Sequence, residues 1–158
     1  VDRSRGLGDV YKRQFLTLPL VSQANALSKY LSNPERARYD YQMNCQGCQV
    51  SDGTGGKSIP NMQGFIGHFM QTEQGREYLI RVPGSANALL SDERLTDVLN
   101  WMLLSFSGDS LSAEWQPYTV KEVAHLRKNP LLEVAQYRKN LVTKLNVEPV
   151  EEGNSHND

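Results

Sequence analysis

At 158 residues, with 39% apolar side chains, the chain can build one modest core plus tails. A formal net charge of -1 excludes a strongly basic nucleic-acid surface. No apolar run is long enough to cross a bilayer.

The first 26 residues stand apart. Val1 to Gln14 are similar to a stretch common at the start of conceptual translations from shotgun assemblies, and they carry no structural weight. Lys12-Arg13 precede the apolar run Phe15 to Val21, and Ala24-Asn25-Ala26 supplies the small-x-small pattern of signal-peptide cleavage. Residues 1–26 are therefore expected to be the remnant of a secretory signal, and the mature chain to be exported.

Asn33-Pro34-Glu35 predicts a helix start: a capping amide, a proline at the first helical position and an acid in the first turn. That helix runs past Tyr39 and Tyr41 and delivers Met43 and Cys45 at its C-terminal end, with Met43 expected to pack. Ser51 to Met62 is a glycine-rich loop. Its Gly53-Thr54-Gly55-Gly56-Lys57-Ser58 lacks the spacing of a phosphate loop. Pro60 and Met62 are expected along one wall of whatever sits beside the cysteines. Gln63 to Arg81 predicts two short helices with a break near Gly75.

Ser91-Asp92-Glu93 opens the strongest helix, whose stripe is Leu95, Val98, Leu99, Met102 and Leu103. Thr119 and Glu122 have capping-box spacing. Asn129-Pro130 reads as a further start, with Leu131, Val134, Ala135, Arg138, Leu141, Val142 and Leu145 carrying a helix to about Asn146. Residues 148–158 are polar and acidic and read as a disordered tail. With no strand pattern, the fold class is all-α.

The chemistry is concentrated in Met43-Asn44-Cys45-Gln46-Gly47-Cys48-Gln49, which holds both cysteines of the chain. A Cys-x-x-Cys pair serves as a redox disulfide, as half of a metal site, or as two thioether anchors for a c-type haem. A zinc site needs two more ligands, and His68, His125 and His156 have no ligand spacing. A redox pair favours a helix N-terminus, which lowers the thiol pKa, whereas Cys45 is expected at a helix C-terminus. A haem site normally adds a histidine after the second cysteine; Gln49 stands there.

Residues 38–106 resemble a small bacterial monohaem c-type cytochrome throughout. Tyr78 to Gly84, Leu90 to Glu93 and Asn100 to Leu103 are similar to one branch of that family, which also carries a segment like Gln116 to Val123. Residues 27–37 and 130–158 lie outside the specific match. The resemblance implies a cytochrome c-like domain over residues 27–110 and a helical extension over 111–147. It implies one haem c on Cys45 and Cys48, a periplasmic location, and single-electron transfer between a dehydrogenase or oxidase partner and a respiratory chain, without enzymatic turnover of its own.

Two positions depart from the family pattern. Gln49 offers a neutral amide where imidazole belongs, a poor donor for iron. Residues 82–90, where the family places its distal methionine, contain no Met, His or Lys. The distal candidates are therefore His68, Met70 and Met62. The competing readings are a cofactor-free module, a five-coordinate ligand binder with weak peroxidase-like chemistry, and a thiol–disulfide oxidoreductase.

Overall fold

A computed structural model describes residues 28–56 and 58–147, and these contain no strand. The all-α expectation holds. The expected signal segment and acidic tail lie outside the described residues.

Local sequence explains most helix starts. In α1 (Pro34–Asn44), the extended Asn33 accepts a hydrogen bond from the Arg36 N–H at 2.9 Å. Pro34 takes the first position, where a missing N–H removes no bond. A single turn, α2 (Gln46–Gln49), follows at once. A 3-10 helix (Ile66–Gln71) leads into α3 (Glu73–Arg81) and the one-turn α4 (Pro83–Ala86). The spine is α5 (Asp92–Phe106), capped by Ser91. Beyond a 3-10 turn at Gly108–Ser110 come α6 (Val120–Leu126), with both halves of the Thr119/Glu122 capping box formed, and α7 (Val134–Leu145).

The stripe on α5 is buried along its length. Across it lies α1, joined by aromatic and ionic contacts. The Tyr41 ring packs 5.1 Å from Trp101 and 5.3 Å from Phe106. Asp40, fully buried, takes the Arg94 guanidinium as a bidentate partner. A buried carboxylate requires such a partner.

The segment after α5 belongs to the same core. Tyr118 exchanges two hydrogen bonds with Asn100: its N–H donates to the side-chain oxygen (2.8 Å), and its carbonyl accepts from the side-chain nitrogen (3.1 Å). The Tyr118 hydroxyl donates to the Arg76 carbonyl, and Arg76 forks onto Glu122. Arg127 donates to the carbonyls of Ala86, Ala88 and Leu90 and to Asp92. Tyr118, Val123, Leu131, Leu141 and Val142 join one hydrophobic cluster with α3 and α5.

Three expectations are corrected. The break between the two middle helices falls at Thr72, whose hydroxyl caps α3 by accepting from Gly75. Gly75 sits inside the first turn because the Phe69 backbone occupies the place of a Cβ. Asn129-Pro130 does not start α7. The Asn129 N–H closes the turn after α6 on the Leu126 carbonyl, and the Leu131 N–H is bonded to the Arg81 carbonyl at 2.8 Å, so the chain stays non-helical until Val134. Met43 is 65% exposed and does not pack.

Candidate functional site

Cys45 is the cap residue between α1 and α2, and Cys48 lies in the single turn of α2. The Cys45 N–H donates to the Tyr41 carbonyl, and the Cys48 N–H donates back to the Cys45 carbonyl at 3.2 Å. A spacing of three residues in a helical turn puts both side chains on one side. Both thiols are free; Cys45 is half-buried and Cys48 exposed. Burial, reinforced by Asp40 and Cys48, pushes the Cys45 thiol up to about 11. That is opposite to the lowered pKa of a reactive thiolate.

The glycine loop holds this turn in place. The Gly56 N–H donates to the Cys48 carbonyl (2.9 Å) and the Gly55 N–H to the Gln49 carbonyl (3.0 Å). Gly55 has φ +80, and a Cβ there would meet the Ile59 backbone, so the loop needs a residue without a side chain. Val50 also adopts a positive φ of 63, which a β-branched residue rarely tolerates. It is held by its own N–H on Gln46 and by the Tyr41 hydroxyl, which donates to its carbonyl at 2.6 Å.

Directly beside the cysteines lies a cavity of about 380 Å³, within the usual range for small-molecule and cofactor sites. Cys45, Cys48 and Gln49 are among its lining residues. Leu95, Val98, Leu99 and Met102 of α5 line it, with Ile66 and Phe69 from the 3-10 helix. The loop adds Pro60 and Met62, as expected from the sequence. The Gln49 side-chain oxygen is fully buried and has no hydrogen-bond partner. The described groups of the protein supply it with no partner.

No family model, curated protein or solved structure matches the chain. The site is therefore read from its own residues.

Cys45, Cys48, Gln49 and Met62 come together around the cavity, whereas His68 and Met70 do not line it. The His68 ring nitrogen lies 3.2 Å from the Gln71 amide, and its ring stands edge-on to Phe65. Met70 borders shallow clefts elsewhere. Among the described residues, no group of three or more His, Cys, Asp or Glu side chains gathers as a metal site.

Met102 and Arg138 are among the lining residues that the sequence did not single out. Met102 is hidden within the apolar stripe of α5, where helical spacing cannot distinguish a cavity wall from packed core. Arg138 left a trace: it takes a register of the apolar face of α7, between Val134 and Val142, where an aliphatic residue is expected.

Two thiols one helical turn apart and an apolar slot beside them suit the two vinyl groups and the flat body of a porphyrin. Gln49 does not supply the nitrogen donor that its iron prefers.

Proposed function

We propose that the protein is a small c-type cytochrome, exported to the periplasm, that passes single electrons between a dehydrogenase or oxidase partner and a respiratory chain. The supporting observation is the apolar cavity lined by two free thiols. Cys45 and Cys48 would tether one haem c through thioethers. Met62 and Met102 are the sulfur donors within the cavity lining. The haem supplies a one-electron iron couple when bound, its potential tuned by ligand identity and burial. The chain's own residues do the rest. The α5 stripe excludes water, the glycine loop fixes the cysteine turn, and Gln49 would offer the iron only a neutral amide.

The raised pKa of Cys45 weighs against a thiol–disulfide oxidoreductase. Gln49 favours a second reading on the same fold, a haem protein with a weakly held iron that binds exogenous ligands.

The test is to produce the protein alongside a c-type maturation system. Pigment that stays with the polypeptide after acid–acetone extraction supports the proposal, and a colourless pellet defeats it. Gln49→His is expected to raise haem retention and restore a low-spin spectrum. Rapid CO binding by the reduced wild type selects the ligand-binding reading, and a six-coordinate low-spin spectrum rules it out.

A further inference from the structure

The C-terminal helix α7 lies outside the family resemblance, yet it forms part of the cavity wall through Val134 and Arg138. It is fastened there by Tyr137, which stacks on Tyr78 with ring centroids 6.0 Å apart and planes 5° from parallel. The Arg138 guanidinium sits 5.5 Å from the Phe65 ring centroid, and both side chains line the cavity.

Five arginines are half-buried among the described residues. Four are matched to carboxylates: Arg76 with Glu122 (2.9 Å), Arg81 with Glu77 (3.0 Å), Arg127 with Asp92 (3.0 Å), and Arg94 with Asp40. Arg138 is the exception: no carboxylate or hydrogen-bond acceptor pairs with it among the described residues. Among the described residues it is also the one charged side chain lining the cavity, with no Asp or Glu there. A guanidinium drawn partly out of water gains from an acceptor, and its planar fork suits a carboxylate or similar anion.

We propose that Arg138 anchors an anionic group on the occupant of this cavity, so that α7 is a wall of the binding site. The occupant combines an apolar body with a carboxylate or similar anion. The inference deepens the haem reading, since haem carries two propionates, and rests on it for the identity of the natural ligand.

The test uses two probes that differ in charge, read in the full-length haem-free protein. Anilinonaphthalene sulfonate is apolar and anionic, and N-phenylnaphthylamine is its uncharged counterpart. The wild type is expected to bind the anion more tightly. Arg138→Gln is expected to weaken the anion about tenfold, as for a lost charge-assisted hydrogen bond, and leave the neutral probe unchanged. Arg138→Lys retains part of the preference. An anion preference that survives Arg138→Gln overturns the proposal, as does failure of both probes to bind. Equal losses for both probes also overturn it, because they signal damage to the cavity rather than a lost charge. Covalent haem retention, measured separately on the wild type and Arg138→Gln, keeps the two readings apart. Haem held without anion selectivity sinks only the role of Arg138. Selectivity without covalent haem sinks only the cytochrome.

Discussion

Val50 carries the cost of shaping the cysteine turn. Its φ of 63 and ψ of 167 lie in a region open chiefly to glycine. Such a conformation costs about 1–3 kcal/mol and persists when its surroundings fix it. Val50→Gly is therefore expected to raise the melting temperature or leave it unchanged, despite the greater freedom of glycine in the unfolded chain, and thermal denaturation checks this. The neighbouring thiols should differ in reactivity. With its pKa raised from 9.0 to about 11, Cys45 is expected to alkylate far more slowly than exposed Cys48 at pH 8, as peptide mapping after iodoacetamide labelling would reveal. The same shift has a stability consequence in the haem-free protein. Between pH 9 and about 11 the unfolded chain releases this proton while the folded chain keeps it, so the contribution is complete below pH 9 and is lost as pH rises towards 11.

At the scale of elements, α5 and the segment that follows it are joined through Asn100 and Tyr118. Asn100→Ala strands the buried N–H and carbonyl of Tyr118, each costing about 1–3 kcal/mol when left unpaired. Tyr118→Phe removes only the bond to the Arg76 carbonyl and should cost about 1 kcal/mol. Urea denaturation should place Asn100→Ala well below Tyr118→Phe. The 3-10 helix is held to the turn after α5 in another way. A Cβ on Gly67 would lie 2.6 Å from the Leu111 backbone nitrogen, and the Gly67 N–H donates to the Ser110 hydroxyl at 3.1 Å. The two backbones touch there because nothing lies between them.

Across the whole molecule, residues 111–147 are continuous with the core rather than appended to it. Leu141 and Val142 of α7 share one cluster with Phe69, Tyr78 and Leu79. Leu141→Ala is expected to lower global stability by about 2–5 kcal/mol in a single cooperative transition. A normal main transition preceded by a separate low-temperature step would mean that α7 melts independently. This continuity also gives the cavity its last wall, since Val134 and Arg138 arrive from a helix far along the chain from Cys45.

Asn33, Ser91 and Thr119 announced their helices because a cap is a local exchange: one side chain satisfies a backbone N–H two or three residues ahead. The same locality made the place of Cys45 at the end of α1, the α5 stripe and the all-α class legible, and it put Pro60 and Met62 beside the cysteines. Asn129-Pro130 offered the same cap signal and failed, because the Arg81 carbonyl, distant in sequence, claimed the Leu131 N–H. Gly75 was misread because its need for a bare Cα comes from the Phe69 backbone folding against it. Whether an apolar face packs tight or borders a space depends on which surfaces meet it, and helical spacing is blind to that. Local chemistry in the sequence thus determined where the capped helices begin and that Cys45 follows the first of them. The tertiary structure decided that a cavity adjoins those thiols, that His68 and Met70 lie outside its lining, and that an arginine with no carboxylate partner among the described residues borders it, because each of these depends on contacts between distant segments.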